Sequence, residues 1–184
     1  MRIIGGERKG HKLVEWREPG IRPLRDRVRA ALFDALGELV RDAEFLDLFA
    51  GTGAVGLEAL SRGARWATFV DASPQAVRII RENVQKLRYL DRVEILRADA
   101  LDAIRRFQRE GRCFDIIFIG APYASGLARR ALELLGESPL LREGGVIIAE
   151  VGRKDDIGRS YGKLEAFRER DYGDTRLIFF HERG

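Results

Sequence analysis

A glycine-rich segment, Gly51-Thr52-Gly53-Ala54-Val55-Gly56, has the spacing Gly-x-Gly-x-x-Gly. Glycines at these positions permit a tight turn and let a ligand approach the backbone closely, although the pattern by itself also occurs in ordinary turns. Asp71 follows 20 residues after Gly51. A carboxylate at that place can accept hydrogen bonds from both hydroxyls of an adenosine ribose. These residues predict a nucleotide-type cofactor site, and they fit NAD and S-adenosylmethionine equally.

Two further aspartates discriminate between these cofactors. Asp47 lies just before the glycines, where a carboxylate suits the cationic amino-acid end of S-adenosylmethionine and repels a pyrophosphate. Asp99 is placed to accept the exocyclic amine of adenine or, equally, to cap a helix. We therefore favour S-adenosylmethionine. The predicted cofactor-binding residues are these acids and their loop neighbours: Asp47, Phe49, Gly51, Thr52, Gly53, Asp71, Ala72, Asp99 and Ala100.

The segment Gly120-Ala121-Pro122-Tyr123 follows a strongly apolar run. The proline ends the strand, and an aromatic residue follows at its rim. Tyr123 either packs in a turn or stacks on a nucleobase taken out of its helix, with neighbouring acceptors orienting the amine of the base. We predict that the four residues form the catalytic segment.

Alternating strands and helices position these loops. Apolar runs of strand length alternate with segments of helical periodicity. The predicted strands are 44–50, 66–71, 92–97, 113–119 and 145–151, and the helices between and before them are 24–41, 55–62, 74–87, 101–109 and 128–135. The segments 164–170 and 175–181 predict a terminal antiparallel pair. This order predicts a mostly parallel, doubly wound α/β sheet, which binds ligands at the carboxyl ends of its strands.

The excess positive charge lies at the N-terminus. The first 30 residues hold nine Arg and Lys against four Asp and Glu, whereas the whole chain has a net charge of +4. Residues 2–4 and 11–14 predict two short strands around a glycine-rich basic tip. The asymmetry suggests a polyanionic partner, although a solvated basic face explains it as well. We predict phosphate contacts by Arg8, Lys9, Arg22 and Arg27.

Length and composition exclude several classes of protein. The 184 residues fit one domain, which we expect over 1–184. No apolar run approaches the roughly 20 residues that span a bilayer, and the first residues contain no apolar signal sequence. We therefore expect a cytoplasmic protein without a membrane partner. Because Cys113 is the only cysteine and His11 and His181 are the only histidines, we expect no metal site.

Motifs along nearly the whole chain resemble the family of bacterial ribosomal RNA methyltransferases that modify a guanine N2 of 16S ribosomal RNA, the RsmD type. The glycine loop by itself is shared by all class I methyltransferases, whereas the N-terminal segment and the long block around the glycine loop are specific. The motifs are residues 1–6 with Lys9-Gly10 and Leu13, Arg22-Pro23, 26–29 with Leu32-Phe33, 46–53 running into 56–64, and 172–175.

The resemblance implies a Rossmann-like, seven-stranded class I methyltransferase sheet with a small N-terminal β-hairpin extension. Residues 1–22 would form that extension and carry basic residues for RNA. The resemblance also implies S-adenosylmethionine as the methyl donor. It implies 16S ribosomal RNA or an assembling small ribosomal subunit as the partner.

The sequence departs from the family after the fourth strand. The family has Asp or Asn, then Pro-Pro, then Tyr or Phe, and here Gly120 and Ala121 stand at the first two positions. The first position supplies the side-chain acceptor for the target amine, which Gly120 lacks. One alternative is therefore a weakened or silent relative that binds ribosomal RNA or assembling small subunits. A second alternative, a nucleotide-dependent oxidoreductase, is disfavoured by Asp47.

Overall fold

The computed structural model describes residues 1–16 and 24–184. In this part of the chain the α-helices are α1 (Asp26–Leu36), α2 (Ala54–Ser61), α3 (Pro74–Lys86), α4 (Ala100–Glu110) and α5 (Leu127–Glu137). The strands are β1 (Glu44–Leu48), β2 (Trp66–Asp71), β3 (Val93–Arg97), β4 (Phe114–Ile119), β5 (Leu141–Gly152), β6 (Ser160–Tyr161), β7 (Leu164–Tyr172) and β8 (Thr175–Glu182).

The strands form one sheet in the order β3-β2-β1-β4-β5-β8-β7-β6. The first five strands of that order pair in parallel, and β8, β7 and β6 add in antiparallel fashion. The strand order reverses between β1 and β4, which is the point where ligands bind in open α/β sheets. The predicted mostly parallel, Rossmann-like α/β fold is confirmed.

Alternate strand residues enter two hydrophobic layers, one on each face of the sheet. In β4, Ile116 and Phe118 pack with α1, α2 and α3, whereas Ile117 and Ile119 pack with α4 and α5. The central strands are buried on both faces, so their sequences are nearly continuously apolar. Because these strands are apolar throughout, the sequence identifies the strands but does not indicate which face of the sheet each residue occupies.

The sheet has eight strands in the described residues, so the predicted number of seven is low by one. The additional strand, β6, contains two residues and pairs with the start of β7 across a tight turn. Gly162 adopts φ +53° in this turn, a conformation that glycine tolerates better than other residues. A strand of two residues is too short to carry a period-2 pattern, which is why the sequence did not predict it.

The N-terminal hairpin has looser pairing than predicted. Its two arms form one isolated bridge, between Arg2 and Lys12, and no continuous strands. The hairpin is held instead by the end of α2. Glu58 accepts the backbone N–H groups of Ile4 and Gly5, at 3.0 and 2.9 Å. The hairpin therefore lies along the first helical layer and is part of its packing.

Candidate functional site

A cleft of about 580 Å³ lies at the carboxyl ends of the parallel strands. This volume falls in the usual range for small-molecule sites. Twelve of the thirteen residues predicted for the cofactor and the catalytic segment line it. They are Asp47, Phe49, Gly51, Thr52, Asp71, Ala72, Asp99, Ala100, Gly120, Ala121, Pro122 and Tyr123. The fold thus brings together residues that are up to 76 positions apart in the sequence.

Gly53 is the predicted site residue that does not line the cleft. It precedes α2 with φ +81°, and a Cβ atom there would lie 3.3 Å from Cγ1 of Ile80. Gly53 therefore lets the loop turn into the helix against α3. Gly53 therefore contributes to the site indirectly, by determining the path of the glycine loop.

Asp71 ties the glycine loop to the end of β2. Its Oδ2 accepts the backbone N–H of Gly51 at 2.9 Å, and its Oδ1 accepts that of Ser73 at 2.9 Å. A carboxylate offers about four acceptor sites, so hydrogen bonding to a ligand is compatible with both bonds. Asp71 is partly exposed to the cleft.

Asp47 is buried beneath the same loop and accepts the backbone N–H of Gly56 at 3.0 Å. Burial raises the pKa of its carboxyl well above the usual range, the Gly56 bond partly opposes this, and nearby Asp71 and Glu150 raise it further. A Cβ atom on Gly56 would lie 2.4 Å from Cε1 of Phe69. Glycine is therefore required for α2 to approach the sheet this closely.

Asp99 lies before α4, where its Oδ1 accepts the backbone N–H of Asp102 at 3.0 Å. The helix-cap interpretation of this residue is correct. The side chain is also exposed and lines the cleft. Its predicted contact with an adenine amine is compatible with the cap, because the second carboxylate oxygen is not used by Asp102.

Tyr123 is held in place by its hydroxyl group. The hydroxyl donates to Glu150 Oε2 and lies 2.7 Å from Thr175 Oγ1. A Cβ atom on Gly152 would lie 3.3 Å from Cδ2 of the Tyr123 ring, so the ring packs closely on the backbone there. The half-buried ring is therefore fixed at the wall of the cleft, as stacking on a flat ligand requires.

Eight residues of the cleft wall were not among the predicted site residues: Trp16, Leu24, Ala50, Ala54, Val55, Phe118, Leu127 and Glu150. Glu150 had a recognisable signal, because it is the only charged residue in the predicted apolar strand 145–151. Phe118 had no such signal, because phenylalanine is ordinary in a buried strand.

The described residues contain no group of three or more His, Cys, Asp or Glu that could hold a metal ion. None of the helices in those residues has the length and apolarity to cross a membrane.

The three predicted phosphate-binding residues that the structure describes do not form one cluster. Arg8 lies at the far end of α2, where its Nε donates to the carbonyl of Leu87 at 3.0 Å and its guanidinium lies 5.1 Å from the centre of the Tyr89 ring. Lys9 is exposed on the same hairpin tip. Arg27 is exposed at the start of α1, on the side of the β7–β8 turn. Arg22 lies outside the described residues.

Comparison with known proteins gives consistent matches over most of the chain. A model of the family described as conserved hypothetical protein 95 matches residues 1–181. Ribosomal RNA small subunit methyltransferase D of Escherichia coli strain K12 is 35% identical over 150 residues, 82% of this chain and 74% of that protein. The protein of the same name from Haemophilus influenzae is 34% identical over 151 residues, 82% of this chain and 78% of that protein.

Solved structures agree with the fold. A hypothetical protein of Thermus thermophilus, TTHA0928, has a TM-score of 0.83 and 32% identity, with 97% of this chain and 98% of that chain covered. Ribosomal protein L11 methylase of Lactobacillus delbrueckii subsp. bulgaricus has a TM-score of 0.67 at 15% identity, covering 85% of this chain and 78% of its own, and shares the fold alone. The resemblance recognised in the sequence motifs is confirmed, and the chain belongs to the family of the ribosomal RNA small subunit methyltransferases D.

Proposed function

We propose that this protein transfers a methyl group from S-adenosylmethionine to N2 of a guanine in 16S ribosomal RNA. One observation carries the proposal: the glycine loop, three aspartates from three strand ends and the segment 120–123 converge on one cleft. The names of the relatives support small-subunit ribosomal RNA as the substrate. The choice of guanine N2 rests on the family resemblance of the sequence motifs.

The chemical groups of the cleft fit S-adenosylmethionine. Asp71 would accept the ribose hydroxyls, and Asp99 the adenine amine. Asp47 would face the ammonium group, and a cation there would favour the ionised form of a carboxyl whose pKa is raised by burial. A pyrophosphate would meet this buried acid with like charge, which argues against the oxidoreductase alternative. When bound, S-adenosylmethionine supplies an electrophilic methyl group on a sulfonium.

The catalytic segment would orient the target base. The fixed ring of Tyr123 offers a flat surface on which an extruded guanine can stack. Gly120 and Ala121 line the cleft, and their backbone carbonyls would be acceptors for the exocyclic amine. Such alignment is most of what a protein can contribute to an in-line methyl transfer.

The proposed substrate also gives the N-terminal segment a role. We propose that residues 1–184 act as one methyltransferase unit and that 1–22 extend its RNA-binding surface. Arg8 is largely committed to holding the hairpin, so Lys9 and Arg27 are the stronger candidates for phosphate contacts. The partner would be 16S ribosomal RNA or an assembling small subunit, and the activity would lie in the cytoplasm.

A methylation assay tests the proposal. Small subunits that lack the modification, and naked 16S ribosomal RNA, are incubated with the protein and S-adenosylmethionine, and nuclease digests are analysed by mass spectrometry. We expect N2-methylguanosine. Calorimetry should detect binding of S-adenosylhomocysteine and no binding of NAD at the same concentration. Methylation at another atom would contradict the choice of nucleophile.

The second candidate function is binding without catalysis, and Gly120 is the observation that favours it. The residue has no side chain to accept the target amine. Under this alternative the protein binds small subunits and S-adenosylhomocysteine but forms no methylated product under single-turnover conditions. Undetectable product with both substrates would select this function over the enzyme.

A further inference from the structure

Glu150 lies beside the position of the missing acceptor. β4 and β5 pair in parallel up to Ile119 opposite Ala149, so continuing the register by one residue sets Gly120 opposite Glu150. Neighbouring strands are about 4.8 Å apart. Phe118 and Ile148, two residues earlier on each strand, pack in the same hydrophobic layer. Because side chains alternate along a strand, position 120 and Glu150 face the same side of the sheet.

The Glu150 carboxylate belongs to the cleft. Glu150 is 8% exposed and lines the cleft together with Gly120 and Tyr123. The hydroxyl of Tyr123 donates to its Oε2. The carboxylate is therefore placed next to the aromatic ring that would carry the base. A carboxylate has about four acceptor sites, so the bond from Tyr123 is compatible with further donors.

The packing around Gly120 is also adapted to glycine. A Cβ atom at this position would lie 2.9 Å from Cε2 of Phe118 and 3.7 Å from the carbonyl oxygen of Phe49. The Phe118 ring, which is 3% exposed, thus occupies the space into which an acidic side chain at 120 would begin to project. The site therefore has no acid at position 120, directly after β4, and has one at Glu150 on the adjacent strand β5.

We propose that Glu150 is the catalytic acceptor for the target amine, in place of the side chain that Gly120 lacks. This inference rests on the proposed guanine N2 chemistry. The carboxylate accepts an N2 hydrogen and directs the nitrogen lone pair towards the methyl group. The new N–C bond forms as the S–C bond breaks, and the electron pair of the broken bond stays on sulfur. The methylated nitrogen then releases one proton along its hydrogen bond to Glu150, which passes it to solvent.

The test compares single-turnover methyl transfer by the wild-type protein with that of Glu150→Gln and Glu150→Asp. Gln keeps the shape and can still accept from Tyr123, but it lacks the negative charge. We expect Glu150→Gln to lose about 10²–10³-fold in rate, as when one acceptor or donor of a developing charge is removed. Glu150→Asp keeps the charge and should retain more of the rate. Both should bind S-adenosylhomocysteine within about threefold of the wild-type affinity.

A matched control separates this role from simple support of Tyr123. Thr175→Val removes a second polar partner of the Tyr123 hydroxyl and leaves Glu150 in place. We expect its rate to fall by less than about tenfold. Adding formate to Glu150→Ala should restore part of the lost rate, because formate can occupy the vacated space and supply a carboxylate. A merely structural role of Glu150 predicts no rescue.

The outcomes distinguish this inference from the proposed function. If Glu150→Gln forms N2-methylguanosine at the wild-type rate, the role of Glu150 is overturned and the proposed function stands. A faster Glu150→Gln than Glu150→Asp, or absence of formate rescue, also contradicts this role. If the wild-type product is methylated elsewhere, or if no product forms at all, both are overturned. Melting temperature and S-adenosylhomocysteine affinity establish that each variant compared is folded.

Discussion

The carboxylate of Asp71 accepts the backbone N–H of Gly51 at 2.9 Å, across 20 residues of sequence. The acid at the end of β2 therefore shapes the loop at the end of β1. The same carboxylate lines the cleft. The side chain that shapes the glycine loop is thus also part of the cleft wall.

The first prediction concerns Asp71→Ala. Loss of a charged acceptor for the ribose hydroxyls should weaken binding of S-adenosylhomocysteine by about 1.5–3 kcal/mol. Calorimetry with an analogue that lacks both ribose hydroxyls separates this effect from loosening of the loop. The analogue should bind wild type and Asp71→Ala with similar affinity. If removal of the hydroxyls costs both proteins the same, Asp71 acts only on the loop.

The second prediction uses the raised pKa of Asp47. Between the ordinary pKa of an aspartate and the higher pKa in the folded protein, the folded state binds more protons than the unfolded state. Its stability therefore falls as pH rises through this window. Asn is neutral and can still accept from Gly56. We expect Asp47→Asn to stabilise the ligand-free protein at pH 8 and to lose this gain at about pH 4, the lower edge of the window.

Urea denaturation at several pH values measures this difference, with the exposed Asp156→Asn as a control that should show no comparable gain. Asp47→Asn should also weaken S-adenosylmethionine binding by about 1.5–3 kcal/mol, because the ammonium group loses a charged partner. A stability gain that grows towards acid pH would contradict the raised pKa. An unchanged affinity would contradict the contact with the ammonium group.

The third prediction addresses the hairpin. Glu58 and Arg29 are fully buried and paired at 3.2 Å, and Arg62 donates to the other Glu58 oxygen at 2.8 Å. Glu58→Ala removes the buried partner of Arg29, which keeps the exposed Asp26 as its ion-pair partner at 3.4 Å, and should cost about 3–5 kcal/mol. Hydrogen exchange of the backbone amides in residues 1–14 should rise, since Glu58 accepts two of them.

The exposed pair of Arg41 and Glu38 is the control for this prediction. Glu38→Ala should change stability by no more than about 0.5 kcal/mol. Hairpin amides that stay protected in Glu58→Ala would show that apolar packing of Ile3 and Leu13 holds the segment.

The fourth prediction concerns the family acid. Gly120→Asp places a Cβ atom too close to Phe118 and should destabilise the protein by about 1–3 kcal/mol through overpacking. Phe118→Leu in the same protein should recover part of that stability. The melting temperatures of the single and double variants show whether the effects of the two substitutions on stability are coupled. Additive effects would mean that the ring moves away at little cost.

The fifth prediction concerns RNA binding. Lys9→Glu with Arg27→Glu should weaken binding to 16S ribosomal RNA and flatten its salt dependence, because phosphate contacts release counterions. The control is Arg109→Glu with Lys163→Glu, which makes the same charge change at exposed positions outside the cleft lining. Titrations at several salt concentrations compare the two. If RNA binding by the two double variants has the same salt dependence, Lys9 and Arg27 are part of a solvated surface and do not contact phosphates.

The sequence alone determined the fold class and most of the residues that line the cleft from the glycine loop and the strand ends. Local patterns carry that information: apolar runs identify strands, and the loop after each strand is read directly from the chain. Glycine spacing and the acids at strand ends, such as Asp71, were therefore visible without coordinates. The parallel order of the strands then requires that their carboxyl ends meet at one edge.

Only the tertiary structure decided which residues on different strands become neighbours. Glu150 has no evident partner in the sequence until the register of β4 and β5 sets it beside Gly120. The separation of Lys9 from Arg27 likewise arises because the hairpin runs along α2, whereas α1 begins beside the β7–β8 turn. Register and helix packing are long-range properties, fixed by side-chain burial across elements, and no local pattern encodes them.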